Sequence, residues 1–352
     1  MAIEPVTVAV INFNGEDIIV ETLSSIKRLN YPDLRVILID DGSTDRSLEL
    51  VRRDHPNVKI YEMGRNTRML NMLRNTGIRE STTDLVLVTD NDIIFRADCL
   101  RTLVEVVGSS DDIGLCTPRL MYMDEPERIY TDASSLHYIG TSISRFRGTT
   151  IDPELVLGKG TSPESTAGGG IFLVDRSKAL AIGLFDEEYS LGWGDDGEFY
   201  YRMKMAGYKT LYVTNALCFH KAKEWSSLRH YRAYGQVRNR WHLLLGTYQL
   251  KTLILISPAL IAYEIFLLLF MTLKGIPHLY LKGNIDVIKD LVRIFKKRKA
   301  IQSTRKIPDK EILTSGDMYV SPALIKNPLM KMGVKILNGF FDGYWKVIKR
   351  WM

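Results

Sequence analysis

Leu85-Val86-Leu87-Val88-Thr89-Asp90-Asn91-Asp92 reads as a buried strand that delivers two carboxylates at its end. Four apolar residues in a row fit a strand covered on both faces. Acids at i and i+2 can both reach one divalent cation or the phosphate oxygens it bridges, because hard cations take oxygen ligands. An Asx-type turn closing the strand would use the same residues. Two other runs repeat the arrangement: Val36-Ile37-Leu38-Ile39 is followed by Asp40-Asp41-Gly42-Ser43-Thr44-Asp45, and Val6-Thr7-Val8-Ala9-Val10-Ile11 by Asn12 and Asn14.

The spacing between these runs is helical. Strands are expected over Val6–Ile11, Arg35–Ile39, Val58–Tyr61 and Leu85–Val88, and helices over Glu16–Leu29, Ser43–Asp54 and Met69–Glu80. Ser43 or Thr44 is the expected cap of the second helix. This alternation predicts an α/β fold with a mostly parallel sheet, whose ligands sit beyond the carboxyl ends of the strands. Farther on, Gly168-Gly169-Gly170 lets the backbone come close to a ligand, and Asp195–Ala206 reads as a helix closed by Gly207. Gly192-Trp193-Gly194-Asp195-Asp196-Gly197-Glu198 sets three acids at that helix's start. Capping accounts for one of them, and three beside an aromatic residue point to chemistry.

With 352 residues, 45% hydrophobic and 25% charged, the chain is expected to fold and is not a disordered tail, a collagen-like fibre or a polytopic transporter. Cys99, Cys116 and Cys218 share no CxxC spacing, so a disulfide scaffold and a cysteine zinc site are both disfavoured. A reducing cytoplasm and the absence of a cleaved signal peptide are expected. The net charge of +6 is uneven: residues 274–352 carry 17 Lys and Arg against 6 Asp and Glu. Thr252–Leu273 holds a single charge, Glu264, and a single proline, Pro258. Its length suffices to span a bilayer, and crossing or lying flat both remain open. Met330, Val334, Leu337, Phe341, Tyr344, Ile348 and Met352 recur at helical steps among Lys331, Lys335, Lys346 and Lys349. That is the pattern of a basic amphipathic membrane anchor, or of a helix packed on the protein's own core.

The order Val8-Ala9-Val10-Ile11-Asn12-Phe13-Asn14, IDDGSTD at 39–45, Arg74-Asn75-Thr76-Gly77-Ile78, TDND at 89–92, GGGIFLVDR at 168–176 and GWGDDGEFYYRMKMAGYKTLYV at 192–213, with His220 after it, resembles the inverting family 2 glycosyltransferases of GT-A fold. The resemblance covers about residues 5–240 and leaves the C-terminal third outside it. It implies a mixed, mostly parallel sheet flanked by helices, with residues 1–230 as the glycosyltransferase domain. Residues 231–352 follow as a helical membrane-association region, including the segment 252–273 and an amphipathic helix at about 329–352. It further implies that Asn12, Asn14 and Asp41 line the nucleotide pocket, with Arg74 near the diphosphate and Asp90 and Asn91 on its ribose or diphosphate side. Asp92 would bind Mn2+ or Mg2+, and His220 would complete the metal shell unless it is structural. Asp196 would be the catalytic base. Asp195 stands where Glu is usual and Glu198 where Asp is frequent, so the choice among these acids stays open.

The residues support such a mechanism independently. Transfer from a nucleotide-diphosphate sugar needs a carboxylate to take the acceptor's proton and a cation to hold charge on the departing diphosphate. Trp193 would stack on the acceptor sugar or lie in the core, and Gly169 and Gly170 would let the backbone approach that sugar. Gln236-Val237-Arg238-Asn239-Arg240-Trp241 resembles the Q-x-x-R-W element of processive synthases, but is one residue too long. It reads instead as a basic, aromatic helix near the diphosphate or the membrane surface. The expectation is a transferase adding one hexose, from GDP-mannose first and a UDP-hexose second, to a lipid-linked saccharide or glycolipid at the cytoplasmic face of the cell membrane, in contact with membrane lipids. A sugar-nucleotide pyrophosphorylase would need a basic Gly-rich loop where Asn12-Phe13-Asn14-Gly15 stands. A peripheral protein binding sugar nucleotides or anionic lipids without turnover is the other reading. Nucleic acid is not an expected partner, since the basic tail carries no recognisable module.

Overall fold

The computed structural model describes residues 4–131, 134–143, 147–151, 161–162, 170–189, 193–221, 229–318, 320 and 327–352. Its main elements begin with β1 (Val6–Asn12), α1 (Ile19–Lys27), β2 (Leu34–Asp40), α2 (Ser47–Asp54), β3 (Lys59–Glu62), α3 (Leu70–Glu80), β4 (Leu85–Asp90) and β5 (Ile93–Phe95). Next come α4 (Cys99–Val107), β6 (Ile113–Tyr122), β7 (Ile129–Thr131), β8 (Phe172–Asp175), α5 (Arg176–Ala181), α6 (Gly197–Met205) and β9 (Lys209–His220). The helices α7 (His230–Thr247), α8 (Leu250–Leu273), α9 (Pro277–Ser303), α10 (Asp309–Ile312) and α11 (Pro328–Ile348) complete the chain. Two compact units interleave in sequence: the first takes 1–133, 145–188 and 208–223, the second 134–144, 189–207 and 224–352.

The first unit is one mixed sheet in the order β9-β6-β8-β4-β1-β2-β3, with β5 on β9 and β7 on β6. β1 runs parallel to both β2 and β4, whereas β8 is antiparallel to β4 and β6. Every residue of β1 and of β6 is buried, as expected of central strands covered on both faces. Ile19, Leu23 and Ile26 of α1 repeat at helical spacing and close one side of this core. Both N-terminal helices begin later than the sequence suggests. The Gly15 carbonyl accepts from the N–H groups of Ile18 and Ile19, so a turn precedes α1. Ser43 does not cap α2, because its hydroxyl donates to Asp40 (2.6 Å). Arg46 is the N-cap, and Asp45 before it closes a turn by accepting from the Ser47 N–H at 3.0 Å.

In the second unit, Tyr138, Tyr201, Tyr248, Ile256, Tyr263, Phe341 and Trp345 share one core. α11 forms as expected, but the stripe read as a membrane anchor faces inward: Phe341 and Ile348 are buried, with Leu337 and Tyr344 packed beside them. The packed-helix alternative is the observed one for that face. The Tyr201 hydroxyl donates to Asp309 (2.6 Å), and the N–H groups of Lys306 and Ile307 donate to the Met205 carbonyl. α6 therefore depends on chain beyond residue 300. A protein cut at residue 230 leaves the buried Tyr201 hydroxyl without its partner, which alone costs about 1–3 kcal/mol. It is expected to melt at lower temperature or aggregate, and equal soluble yield and melting temperature would contradict this.

His137 is fully buried, and its Nδ1 accepts from the Ile139 N–H at 3.2 Å. Burial outweighs the pull of Asp342 and drops its pKa from 6.5 to about 3. Above that upper value neither state holds the proton. Between pH 6.5 and about 3 the unfolded chain binds a proton that the folded chain refuses, so stability falls as the pH falls. The slope from this group approaches about 1.4 kcal/mol per pH unit. Melting curves across that window should be steeper for the wild type than for His137→Gln, and parallel curves would remove His137 from the account.

Candidate active site

Three neighbouring parallel strands of the first unit end together, with Asn12 in register with Asp40 and Ile11 with Asp90. Asn12 is fully buried. Its Nδ2 donates to Asp40 Oδ1 (2.7 Å), Ser43 Oγ (3.1 Å) and Ser47 Oγ (3.2 Å), while its Oδ1 accepts from Asn91 Nδ2 (2.7 Å). This side chain, expected in the nucleotide pocket, is engaged inside the protein and fixes the strand ends. Asp41 is buried and accepts from the N–H and hydroxyl of Thr67 and from the Arg68 N–H, shaping the 66–69 turn. Arg74 is buried as well, donating to Asn71 Oδ1 (3.0 Å) beside the Phe185 ring. Asn14 is exposed, has a φ of 49°, and accepts from the Thr44 N–H at 2.8 Å.

Asp90 stands partly exposed at the end of β4. Gly170 comes against it with a φ of +85°, and a Cβ there would lie 2.5 Å from Asp90 Oδ2. Only glycine fits. Gly168, Gly169 and Gly192 lie outside the described residues. Past Asp90 the chain turns and β5 pairs antiparallel with the end of β9, placing Ile93 opposite His220. The Lys221 N–H donates to the Asp92 carbonyl (3.1 Å), and His220 Nε2 lies 3.0 Å from Asp92 Oδ2. Tyr130 sets its ring edge-on against His220, with centroids 4.4 Å apart. Two residues remote in sequence thus meet through strand pairing.

Asp92 Oδ1 and His220 Nδ1 are both buried without a hydrogen-bond partner. A buried acceptor left unmatched is costly, and His220 Nε2 and Asp92 Oδ2, converging at 3.0 Å, are the nitrogen and oxygen that could face one cation. In the tautomer that carries its proton on Nδ1, the Nε2 lone pair faces the same side as the Asp92 carboxylate. Among the described residues no cluster of three His, Cys, Asp or Glu forms. The pair fits a cation that takes its remaining ligands from phosphate oxygens and water, as Mg2+ commonly does.

In the second unit Asp196 is the N-cap of α6, accepting from the Gly197 N–H at 2.8 Å, and both it and Asp195 are partly exposed. Glu198 is different. It is 2% exposed and forks onto Arg202 at 2.5 and 2.8 Å, which makes it a structural ion pair and leaves Asp195 and Asp196 as the acids able to meet a substrate. Trp193 is partly exposed, and its carbonyl accepts from Asn239 Nδ2 (2.8 Å). The cations of the 236–241 stretch are engaged internally. Arg238 pairs with Asp290 (2.7 Å), and the fully buried Arg240 pairs with Glu264 and donates to the Ile139 carbonyl (3.1 Å). The stretch read as a basic, aromatic helix near the diphosphate or the membrane surface thus holds both arginines in ion pairs. The sequence named Asp40 at the strand end without a role, and missed Ser47, Thr67 and Tyr130.

Residues 7–159 match the family described as Glycosyl transferase family 2. The chondroitin synthase of Escherichia coli is 24% identical over 242 residues, 63% of this chain and 35% of that protein. The poly-beta-1,6-N-acetyl-D-glucosamine synthase of Staphylococcus epidermidis is 24% identical over 221 residues, 59% of this chain and 47% of that protein. The chain spans less than half the length of these two relatives. Among solved structures, GalNAc-T7 with UDP, GalNAc and Mn2+ aligns with a TM-score of 0.54 and 17% identity, over 74% of this chain and 51% of that one. A mannosyltransferase from Pyrobaculum calidifontis in complex with GDP-Man and Mn2+ aligns with a TM-score of 0.53 and 17% identity, over 100% of this chain and 88% of that one. At such identity the likeness speaks for the fold. Residues 7–159 thus match a glycosyl transferase family 2 domain, and the mixed, helix-flanked sheet is that of the GT-A fold.

Proposed function

We propose that the protein is an inverting, metal-dependent hexosyltransferase that moves one sugar from a nucleotide-diphosphate donor to a lipid-linked saccharide or glycolipid at the cytoplasmic face of the cell membrane. The observation that carries the chemistry is the Asp92–His220 pair, whose Oδ2 and Nε2 converge at 3.0 Å just past the strand end that bears Asp90. In this reading residues 1–230 supply the transferase chemistry and 231–352 the membrane attachment. GDP-mannose is the first donor to test and a UDP-hexose the second. Transfer of a single sugar is read from the 236–241 stretch, one residue longer than Q-x-x-R-W and with Arg238 and Arg240 held in ion pairs.

Asp92 and His220 would hold Mn2+ or Mg2+, which when bound supplies positive charge for the departing diphosphate. Asp90, Asn91 and Asn14 face the donor, while Asn12, Asp41 and Arg74 act behind them as positioning residues. Asp196 takes the proton of the acceptor hydroxyl as its oxygen bonds to the anomeric carbon. The bond from that carbon to the phosphate oxygen breaks, and the nucleoside diphosphate leaves with the electron pair. Attack from the face opposite the leaving group inverts the anomeric centre. Asp195 adjoins the base, and Trp193 and Gly170 are assigned to the acceptor side, as is Gly169.

Thermal stabilisation of the purified protein by GDP and by UDP, each with and without Mn2+, tests the donor side. A metal-dependent shift with one nucleotide is expected, and it should vanish in Asp92→Asn. No shift with either nucleotide would favour the non-catalytic membrane protein. For the base, Asp196→Asn should lower transfer about 100- to 10,000-fold while keeping the nucleotide shift. Glu198→Gln should instead destabilise the fold by about 3–5 kcal/mol, because it removes the negative charge opposite the buried Arg202 guanidinium. Transfer that survives replacement of both Asp92 and Asp196 would refute the mechanism.

A further inference from the structure

Each long C-terminal helix of the second unit has an apolar face beyond the one it packs inward. On α8, Ile256, Ala259, Tyr263 and Leu267 are buried, whereas Leu250, Ile254, Ile261, Ile265, Leu269 and Leu273 are 57–73% exposed on the opposite side. On α9, Leu281, Ile285, Ile288, Val292 and Phe295 recur at alternating four- and three-residue steps and are all exposed. On α11 the exposed stripe is Leu329, Met332, Ile336, Phe340 and Val347, with Trp351 just beyond the helix. α8 packs against both α9 and α11, so the three stripes belong to adjoining helices. Soluble proteins seldom expose so much contiguous apolar surface.

The charges beside these stripes identify the occupant. Lys251 and Lys274 bracket α8. Lys296 and Lys299 are exposed in the last turns of α9, and Lys331, Lys335, Lys346 and Lys349 are exposed along α11. Apolar stripes flanked by lysines suit an anionic lipid surface, where the side chains enter the acyl boundary and the ammonium groups stay among the headgroups.

We infer that α8, α9 and α11 dock the protein in the plane of an anionic bilayer, with α8 half-immersed along its length and not crossing. This rests on the membrane part of the reading above and not on its chemistry. The packing of α8 decides its orientation. Near its middle, Glu264 pairs with Arg240 of α7 and accepts from the Tyr280 hydroxyl of α9 (2.7 Å), and the Leu255 carbonyl accepts from the Tyr344 hydroxyl of α11 (2.8 Å). These helices carry further ion pairs, Arg238–Asp290, Lys282–Asp286 and Lys346–Asp342. Were α8 to cross, it would draw them towards the hydrocarbon midplane, where unshielded charge is strongly disfavoured. Lying flat keeps them at headgroup level.

The full chain should float with vesicles containing phosphatidylglycerol and much less with pure phosphatidylcholine. The double variant Ile288→Asp with Val292→Asp should lose at least tenfold of that partition while keeping its melting temperature. In inside-out membrane vesicles from expressing cells, Lys251→Cys and Lys274→Cys should both react with an impermeant maleimide. Labelling at one end only would overturn the in-plane inference and leave membrane binding intact. Failure to float would overturn membrane binding itself. A stable dimer in lipid-free buffer that the double variant splits would assign the stripe to a second copy of the chain and overturn the proposal too.

Discussion

The Asn12 side chain is the constraint on which the first unit's site depends. It sits at the end of the central strand, fully buried, and its amide reaches the residues that follow each neighbouring strand. A buried amide is tolerated only when its donors and acceptor are matched, and here Asp40, Ser43, Ser47 and Asn91 match them. An aspartate could not donate to Asp40, and a leucine would take one of Asp40's donors away and leave the Asn91 amide without its acceptor. Because Asn91 lies between Asp90 and Asp92, fixing its amide fixes the turn that aims both carboxylates. The Thr22 hydroxyl, donating to the Asn91 carbonyl at 2.7 Å, holds the same turn from α1.

From that turn onward, geometry follows from strand pairing. β5 is only three residues long, and its antiparallel contact with the end of β9 brings His220 to Asp92 across 128 positions of sequence. Lys221 and Tyr130 then enclose the imidazole from backbone and ring. Gly170 completes the wall beside Asp90, where any side chain would collide with the carboxylate.

How much of this was legible in sequence depends on the range of the interaction. Apolar runs ending in acids announced β1, β2 and β4, because strand period and burial are written in adjacent residues. The starts of α1 and α2 were misplaced, since Gly15 and Asp45 form turns through hydrogen bonds that compete with the helix and leave no mark on hydrophobic spacing. Glu198 looked equivalent to Asp195 and Asp196. Its difference is the Arg202 four residues later on the same helix, an i,i+4 relation readable in principle but decided by burial. Asn12 is the converse case: its position at a strand end was legible, and its role was not, because its partners come from three separate segments.

The C-terminal helices show why apolar periodicity alone cannot assign a partner. α8 is apolar around its whole circumference, so its sequence satisfies a bilayer, a protein core, or one on each side. α11 offers a cleaner period, yet the stripe that period highlights is buried against α8 and the second unit's tyrosines, while a different set of apolar residues faces outward. Two apolar faces on one helix are more than either a soluble core or a surface helix requires. What separates them is polarity at the contacts. The inward face of α8 contains Tyr263 and Glu264, whose hydroxyl and carboxylate meet Gln236 and Arg240, and burying those groups is tolerable only because protein partners are fixed opposite them. The outward face presents Leu250, Ile254, Ile261, Ile265, Leu269 and Leu273, and the exposed Ser257 and Thr272 hydroxyls donate to carbonyls of the same helix, so it demands no fixed partner. A fluid apolar phase meets that condition, and a face that needs specific hydrogen bonds does not.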